Sequence, residues 1–488
     1  MISRVLAYAA EKNITLTGLT FNSADVKPGF AFWALKGVHH DGNAFIEDAI
    51  KKGAALIVSA QPLSQKISVP FYLSDQIDAD MADAAYEFYG RPSDQLNVIG
   101  ITGTKGKTSI SYLTEAVLEH AGKKVSVLGT VNYRINGHVV MDAPNTTPLA
   151  FPLFALLWQM KQQKTDALVM EVSSHSLEQQ RVKHIHFDTA VFTNLQRDHL
   201  DFHHTFENYF SAKKKLFEEL LSADNHKPAK TAIVNIDDAY GRQLVDMLRG
   251  RVRVLTYGME NPADYQATEI VESLHGTTFK VKGLTGKINL LGRHNVYNAL
   301  AALCIGVANG VPEQTALAGL ANLPGVPGRM ERIDAGQDFF VFVDFAYTDE
   351  SLQRAFETVK HFKKGRILTV FGCGGDRDRT KRPLMGHTAC VNSDYVFLTN
   401  DNPRTEDPKQ IFADIEKGME GFSNYVIEPD RRAAIFQAIA AAKKDDIVII
   451  AGKGHEQTQK IGHTVLPFSD QQTVREALEK RHVQTGKI

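Results

Sequence analysis

The sequence predicts an α/β protein of three domains built around mostly parallel β-sheets. Its 488 residues exceed what one hydrophobic core accommodates and suggest domains of about 100–200 residues each. Short apolar runs alternate with segments whose apolar residues recur at helical spacing, as in a parallel sheet with crossover helices. A glycine-rich turn at residues 100–108 joins one such run to one such helix. We place the three domains at 1–93, 94–328 and 329–488.

Composition and charge exclude several classes of protein. Lysine and arginine total 55 against 56 aspartates and glutamates, so the chain lacks the overall basic field that favours nucleic acid or anionic membranes. No run of about 18 apolar residues occurs, and Glu11 and Lys12 interrupt any apolar signal segment. Three cysteines are too few for a disulfide framework. We expect a cytoplasmic monomer that acts on small molecules, without nucleic-acid or membrane partners.

The glycine-rich turn has the features of a phosphate-binding loop. It follows an apolar run at 96–101, which predicts a buried strand, and precedes a predicted helix at 109–120. Backbone N–H groups of such a turn point at one centre, at the positive end of the helix dipole. Lys107 adds a charge and the Thr108 hydroxyl suits a magnesium ion. A glycine-rich turn alone can be only a turn, but strand, lysine, hydroxyl and helix together predict a nucleoside triphosphate site formed by Gly103, Thr104, Gly106, Lys107 and Thr108.

Two polar segments follow neighbouring strands of the predicted central sheet. Glu171 ends the apolar run 167–170, and His199 follows the run 189–193. Ligands of open α/β sheets gather at the carboxyl ends of strands. A carboxylate at that edge, beside a phosphate loop, is where a magnesium ligand is expected. The alternative is an exposed strand-end glutamate and a histidine that only caps a turn.

The outer domains show comparable patterns. In the first, strands are predicted at 31–35 and 55–58 around a helix near 44–52, with a polar surface loop or ligand loop at 36–42. After the turn-rich joint 324–328, strands are predicted at 339–343, 367–371, 395–398 and 447–450. A polar motif follows each of these four strands, so the last domain should have one ligand-facing edge.

The motifs together resemble one family, the Mur ligases of cell-wall precursor synthesis. The resemblance covers nearly the whole chain and is carried by the phosphate loop, Asn145-Thr146-Thr147-Pro148, Asp401-Asn402-Pro403-Arg404 and Gly452-Lys453-Gly454-His455-Glu456, in that order. It implies a small N-terminal α/β domain that binds a UDP-linked substrate. It also implies a central P-loop ATPase-type domain and a C-terminal Rossmann-like domain that binds an amino acid.

The resemblance also implies roles for individual residues. It assigns catalysis to Lys107, Lys213, His199 and Glu171. It places metal ions on Thr108, Glu171, His199 and Lys213, with Lys213 carbamoylated by carbon dioxide (N6-carboxylysine). It adds four residues to the ATP site: Asn295, Asn298, Arg329 and Asp344. It assigns the UDP-substrate to Ser23, His39, Asn145, Thr146, Thr147, Ser173, Gln179 and Arg181. It assigns the amino acid to Arg377, Asp401, Asn402, Arg404, Gly452 and Glu456.

The implied reaction is ATP- and Mg²⁺-dependent amide formation on UDP-N-acetylmuramoyl-L-alanyl-D-glutamate through an acyl phosphate. The added amino acid is expected to be meso-diaminopimelate, because Arg404 can bind its second carboxylate bidentately. Alternatives are an L-lysine-adding homologue, another Mur or folylpolyglutamate-type ligase, or an inactive nucleotide-binding regulator. Two departures from the family pattern, Ala24 and Tyr347, leave the last alternative open.

Overall fold

The computed structural model describes residues 3–37, 41–63 and 65–485. The chain forms two compact units, one of residues 1–267 with 297–320 and one of residues 268–296 with 321–488. All three cysteines are buried and free. Within the described ranges, no helix is both long and apolar enough to cross a bilayer. The three predicted domain boundaries stay a prediction.

The first unit opens with a four-stranded parallel sheet in the order β1-β2-β3-β4. Strands β2 and β3 and helix α2 correspond to the predicted strands and helix of this region. Trp33, Leu56 and Val58 of the sheet are fully buried against α1 and α3. The elements are α1 (Arg4–Glu11), β1 (Gly18–Thr20), β2 (Phe30–Ala34), α2 (Ile46–Lys51), β3 (Leu56–Ser59), β4 (Phe71–Leu73) and α3 (Ile77–Phe88).

The larger sheet of the first unit carries the phosphate loop. Its elements are β5 (Asn97–Thr102), α4 (Lys107–His120), β6 (Val125–Leu128), β7 (Asn132–Ile135), β8 (His138–Asp142), α5 (Ala150–Gln162), β9 (Ala167–Glu171), α6 (Ser174–Glu178), β10 (Thr189–Phe192), α7 (Leu200–His203), α8 (Phe206–Leu221), β11 (Thr231–Asn235), α9 (Ala239–Leu248), β12 (Arg253–Gly258) and β13 (Tyr265–Ser273). Strands β12-β11-β10-β5-β9-β6 are neighbours in that order and all parallel. The carboxyl ends of β5, β9 and β10 therefore lie side by side.

The second unit is built on a six-stranded sheet in the order β16-β17-β21-β18-β19-β20, parallel except for β16. Two antiparallel hairpins, β14–β15 and β22–β23, also belong to this part of the chain. The remaining elements of the chain are β14 (Gly276–Val281), β15 (Leu284–Ile288), α10 (His294–Ala308), α11 (Glu313–Asn322), β16 (Glu331–Arg332), β17 (Phe340–Asp344), α12 (Asp349–Lys360), β18 (Ile367–Phe371), α13 (Lys381–Asn392), β19 (Tyr395–Leu398), α14 (Pro408–Glu416), β20 (Tyr425–Ile427), α15 (Arg431–Ala441), β21 (Ile447–Ala451), β22 (Thr458–Ile461), β23 (Thr464–Pro467) and α16 (Asp470–Thr485). Residues 297–320, which include most of α10 and α11, belong to the first unit.

The central strands β18 and β21 of the second unit are buried on both faces. Ile447 to Ala451 of β21 are fully buried between helices on the two sides, as expected for a central parallel strand. The four strands predicted here from apolar runs are β17, β18, β19 and β21. Three hairpins, β7–β8, β14–β15 and β22–β23, were not predicted from the sequence.

Candidate active site

The loop between β5 and α4 forms a cradle at the start of the helix. Gly106 has φ +93°, and a Cβ atom there would lie 2.5 Å from Oδ1 of Asn298, so only glycine fits. Nζ of Lys107 donates to the carbonyl oxygens of Gly103 (2.8 Å) and Thr104 (3.0 Å). These bonds hold the lysine over the turn, where its charge adds to the positive end of the α4 dipole.

The segment after β10 holds this loop in place. The Thr193 hydroxyl and the Asn194 amide both donate to the carbonyl oxygen of Lys105 (2.7 and 3.2 Å), and Oδ1 of Asn194 accepts from the Lys105 N–H at 3.0 Å. The Lys105 ammonium pairs with Asp198 at 3.1 Å. The Thr104 hydroxyl meets Tyr209 of α8 at 3.2 Å. The cradle is therefore anchored from two neighbouring elements before any ligand binds.

Glu171, at the end of β9, directs its carboxylate toward the start of α4. Its Oε2 accepts from the hydroxyls of Thr108 (3.1 Å) and Thr130 (3.0 Å), and its Oε1 accepts from the Thr130 N–H (2.9 Å). The side chain is almost fully buried. Glu171 and Thr108 thus place two oxygen ligands together beside the phosphate loop, which suits a hard cation such as Mg²⁺.

No described set of three histidine, cysteine, aspartate or glutamate side chains is close enough to bind a metal by itself. A cation at Glu171 and Thr108 would therefore need ligands from elsewhere, such as phosphate oxygens and water. Magnesium sites that include substrate phosphates are built in this way. The residues present fit such a site.

Lys213, on α8, is buried beside the phosphate loop. Its Nζ donates to the carbonyl oxygen of Gly103 at 2.9 Å and lies 4.2 Å from the centre of the Tyr209 ring. Burial, followed by the charge of Lys107, holds the pKa of Lys213 well below its ordinary value. A buried lysine with a lowered pKa is a candidate functional group, since its neutral amine is a nucleophile.

His199 lies at the start of α7. It has φ +52°, its side chain is 48% exposed, and its ring contacts the His175 ring edge-on with centroids 5.0 Å apart. Burial and the charges of Lys107 and Lys213 lower its pKa, against the opposing effect of Asp198. A neutral imidazole is the form that binds a metal.

Four of the residues predicted to bind the UDP-substrate are joined by hydrogen bonds, and the others lie elsewhere. The Thr147 hydroxyl donates to the carbonyl oxygen of Glu171 (2.8 Å) and accepts from the Ser173 N–H (3.1 Å). Arg181 donates to the carbonyl oxygen of Thr147 at 2.9 Å and to Oε1 of Gln179 at 2.9 Å. Thr147, Ser173, Gln179 and Arg181 therefore form one polar network beside Glu171.

The other described residues predicted to bind the UDP-substrate are not part of this network. The Thr146 hydroxyl reaches Thr130 at 3.2 Å, and the Asn145 carbonyl accepts from Tyr133 at 2.5 Å. Ser23 starts a short 3₁₀ helix, and its carbonyl accepts from Lys52 at 3.0 Å. His39 lies outside the described residues.

Four further predicted ATP residues occupy α10 and the start of the second unit's sheet. Asn298 lies against Gly106 of the phosphate loop. Asn295 donates to the carbonyl oxygen of Leu291 at 2.7 Å. Asp344 ends β17, and burial raises its pKa to about 6 against the opposing effects of the Met330 N–H and Arg329. The Arg329 guanidinium lies 5.6 Å from the centre of the Phe345 ring.

The predicted amino-acid residues come together at the carboxyl edge of the second unit's sheet. Arg404 has φ +52° and its guanidinium donates to the carbonyl oxygen of Gly375 at 2.8 Å. Glu406, which could have paired with Arg404, instead pairs with Arg382 (2.9 Å) and Arg379 (3.0 Å). Within the described part of the chain, Arg404 makes no ion pair, so its charge is available at this edge.

Hairpin β22–β23 fixes the backbone around Arg404. The Arg404 N–H donates to the carbonyl oxygen of Lys460 at 3.0 Å, and the Gly462 N–H donates back to the carbonyl oxygen of Arg404 at 2.6 Å. The Lys460 N–H donates to Oδ1 of Asn402 at 2.9 Å, and the Gln459 amide donates to the carbonyl oxygen of Asp401 at 2.8 Å. Arg404 therefore forms a single β-bridge with Ile461 of β22.

Asn402 and Glu456 belong to a buried polar cluster. Nδ2 of Asn402 donates to Oε2 of Glu456 at 2.8 Å, and the ammonium of Lys453 contacts both side chains. Gly452, with φ +116°, brings the chain against Asp401, because a Cβ there would lie 2.6 Å from Oδ2 of Asp401. Burial raises the pKa of Asp401. Arg377 is exposed on the neighbouring loop and donates to the carbonyl oxygen of Asp376 at 3.0 Å.

Sequence reasoning missed several residues that shape these sites. Thr130 bonds Glu171, Tyr209 contacts Thr104 and Lys213, and Lys453 joins Asn402 to Glu456. The Thr405 hydroxyl bonds Asp376, tying the loop after β19 to the loop after β18 (2.9 Å). Of these residues, only Lys453 could have been identified from the sequence, because it lies inside the motif at residues 452–456. The others become visible only through contacts between distant parts of the chain.

Three models of one protein family match most of the chain. The model described as "Mur ligase family, catalytic domain" matches residues 15–87, "Mur ligase middle domain" matches 101–306, and "Mur ligase, glutamate ligase domain" matches 328–454. Two relatives are named UDP-N-acetylmuramoyl-L-alanyl-D-glutamate–2,6-diaminopimelate ligase. The one from Caldanaerobacter subterraneus subsp. tengcongensis is 41% identical over 96% of this chain and 95% of its own length. The one from Bacillus cereus is 42% identical over 96% of each chain.

Solved structures show the same architecture. A structure of a UDP-N-acetylmuramoyl-L-alanyl-D-glutamate–2,6-diaminopimelate ligase is 34% identical, with a TM-score of 0.67 over 96% of this chain and 95% of that one. The MurF ligase of Thermotoga maritima in complex with ADP is 20% identical, with a TM-score of 0.62 over 96% and 98% of the two chains, and shows the fold alone. These likenesses confirm the predicted α/β fold class.

Proposed function

This chain belongs to the Mur ligase family, and we propose that it joins meso-diaminopimelate to UDP-N-acetylmuramoyl-L-alanyl-D-glutamate at the expense of ATP. Relatives named for that reaction are 41–42% identical over 96% of the chain. The observation that carries the choice of amino acid is the guanidinium of Arg404, which lies at the edge of the second unit's sheet and makes no described ion pair. A planar guanidinium binds a carboxylate bidentately, and diaminopimelate has a second carboxylate where lysine has none.

The phosphate loop supports ATP as the energy source. In the proposed reaction, a carboxylate oxygen of the UDP-dipeptide attacks the γ-phosphorus and ADP leaves. The amino acid's nitrogen then attacks the acyl carbon, phosphate leaves, and an amide remains. Lys107 and the N–H groups at the start of α4 would stabilise the negative charge that moves among the phosphate oxygens. Charge stabilisation of this kind is the main contribution a protein makes to phosphoryl transfer.

Glu171 and Thr108 would hold a magnesium ion next to those phosphates, with His199 as a further candidate ligand. A bound Mg²⁺ supplies additional positive charge to the phosphate oxygens. Thr130 supports this role, because its two bonds fix the Glu171 carboxylate. Substitutions of Glu171 and Thr130 would therefore test the proposed metal site.

Lys213 would carry a carbamate. Its lowered pKa leaves a larger share of the amine neutral, and a neutral amine adds carbon dioxide to give an anionic oxygen group. Lys213 lies beside the Gly103 carbonyl and within the field of Lys107, whose charge would be offset by the new anion. The carbamate would thus bring oxygen ligands to the cradle from α8.

The network of Thr147, Ser173, Gln179 and Arg181 is proposed to hold the acceptor substrate beside Glu171. Burial lowers the pKa of Arg181 and the nearby Asp78 opposes this, so the guanidinium stays charged and can bind an anionic group of the substrate. In the second unit, Arg404, Asn402 and Glu456 are proposed to bind and orient the incoming amino acid. Asn295, Arg329, Asp344 and Arg377 stay predictions from the family resemblance.

The proposal is tested by following phosphate release with ATP, Mg²⁺, the UDP-dipeptide and a panel of amino acids. We expect release only when all components are present, with meso-diaminopimelate as the preferred amino acid. Mass spectrometry should find the UDP-tripeptide. Phosphate release that does not depend on any added amino acid would contradict the proposed ligase.

A further inference from the structure

Lys453 is a fully buried lysine at the amino-acid edge of the second unit. It follows β21, and its side chain has no solvent exposure. A lysine is rarely buried to this extent unless it is paired. Its Nζ lies 2.8 Å from Oε2 of Glu456 and 3.0 Å from Oδ1 of Asn402. Its ammonium therefore bonds two side chains that we propose to bind the amino acid, and its charge also acts on Asp401.

The two oxygens of the Glu456 carboxylate have different contacts. Oε2 accepts from Lys453 and, at 2.8 Å, from Nδ2 of Asn402. No described residue donates to Oε1, and the Glu456 side chain is one-third exposed. One oxygen is thus held by the protein, and the other is left for a donor from outside.

Asn402 is fixed in turn by the same lysine. Its Oδ1 accepts from Lys453 and from the Lys460 N–H at 2.9 Å, so its Nδ2 must point toward Glu456. Asn402, Glu456 and Lys453 form a closed triangle of hydrogen bonds. Each side chain in such a network limits the rotamers of the other two.

We propose that Lys453 is a positioning residue for the amino-acid substrate, because it holds Oε2 of Glu456 and Oδ1 of Asn402 and so presents Oε1 of Glu456 to an ammonium group. This inference rests on the proposed function and deepens it. It adds Lys453 to the amino-acid site as a residue that does not itself contact a substrate. Removing it should affect the amino acid and leave the other two substrates nearly unaffected.

The charges around Glu456 explain why a buried cation is needed there. Burial by itself raises the pKa of Glu456, whereas Lys453, Asn402 and His455 lower it, and the net effect is a lowered pKa. Arg431 and Asp401 also interact with this carboxylate, and Arg431 is itself neutralised by Asp470 at 2.7 Å. Lys453 makes the largest contribution to lowering this pKa, so without it the pKa rises and the carboxyl takes up a proton at higher pH.

The experiment compares steady-state kinetics of the wild type, Lys453→Met and Lys444→Met. Lys444→Met is the matched control, because it removes the same charge from an exposed position just before β21. We expect Lys453→Met to raise the KM for meso-diaminopimelate about 10- to 100-fold, the factor expected for hydrogen bonds to a charged group. The KM values for ATP and the UDP-dipeptide should stay within about threefold of the wild type.

The pH profile separates positioning from a general structural defect. As the pH is lowered, kcat/KM for the amino acid should begin to fall at a higher pH in Lys453→Met than in the wild type or Lys444→Met, because Lys453 lowers the pKa of Glu456. An unchanged KM and pH profile in Lys453→Met would overturn the inference. An equal loss for all three substrates in a folded variant would also overturn it.

A second variant covers the case in which Lys453→Met does not fold because Glu456 is left without its cation. Lys453→Met with Glu456→Gln removes both charges, which is tolerated far better than removing one. We expect this double variant to bind ATP normally, to have a raised KM for the amino acid, and to lack the added pH dependence. A wild-type KM in the double variant would overturn the inference. An inactive wild type would overturn the proposed function as well, whereas an active wild type with an unaffected Lys453→Met would overturn this inference alone.

Discussion

Lys213 should react with carbon dioxide more readily than the other lysines of α8. Its side chain is fully buried and burial holds its pKa well below the ordinary value. An ordinary lysine, with a pKa of about 10.4, is only ~0.1% neutral near pH 7.4, and each unit of lowering raises that share about tenfold. We therefore expect Lys213 to carry more carbamate than an exposed lysine at the same pressure of carbon dioxide.

The assay uses ¹³C-labelled bicarbonate, chemical trapping of the carbamate and peptide mass spectrometry. Lys214, the next residue on α8, is 38% exposed and serves as the internal control. Lys213→Met should remove the labelled peptide and the ligase activity, whereas Lys214→Met should keep both. Labelling should fall as the pH is lowered through the depressed pKa, because the amine becomes protonated. Labelling of Lys213 no greater than that of Lys214 would refute the argument from burial.

Three further outcomes follow from the contacts. Lys107→Ala should lower kcat by more than ~100-fold with an unchanged unfolding midpoint, since it removes about 3 kcal/mol of charge stabilisation; near-normal turnover would remove the loop from the mechanism. Arg404→Ala should lower kcat/KM for meso-diaminopimelate about 100-fold and change that for L-lysine little; equal losses would argue against a carboxylate contact. Asp470→Asn should destabilise the protein by about 3–5 kcal/mol in a denaturant titration, because Arg431 is left buried and unpaired. Glu476→Gln, which removes an exposed partner of Arg432, should cost less than ~1 kcal/mol, and similar costs for the two variants would contradict this.

The parallel strands and the phosphate loop could be predicted from the sequence because local composition determines them. Strands buried on both faces appear as short apolar runs, and those predicted at 367–371 and 395–398 match β18 and β19 residue for residue. The turn before α4 needs glycine at Gly106 because of its backbone angle and the nearby Asn298. Both signals are contained in a few consecutive residues.

Strands β8 and β23 could not be predicted, because neither of their faces is buried. All five residues of β8 and all four of β23 are exposed, so no apolar alternation marks them as strands. Hairpin β22–β23 nevertheless positions Arg404 through backbone hydrogen bonds. A residue chosen from a motif can therefore depend on a segment that has no recognisable pattern.

The polar network of the amino-acid site also needed the structure. Lys453 bonds Asn402 across 51 residues of sequence. The pattern of strand ends predicted that their two motifs share an edge, but not that these two side chains meet. The family resemblance assigned Glu456 to the amino acid, and the structure shows that one of its oxygens already accepts a hydrogen bond from the ammonium of Lys453. Charge partners of this kind follow from the order of the parallel strands, which brings the ends of β19 and β21 to one edge.

The preference of the wild-type protein between meso-diaminopimelate and L-lysine tests the central claim most directly. Both amino acids would be assayed at saturating ATP and UDP-dipeptide, with product identified by mass. Arg404 would be left without its carboxylate partner when lysine binds, so we expect kcat/KM to favour meso-diaminopimelate by about 100-fold or more. Equal or better use of L-lysine would contradict the account.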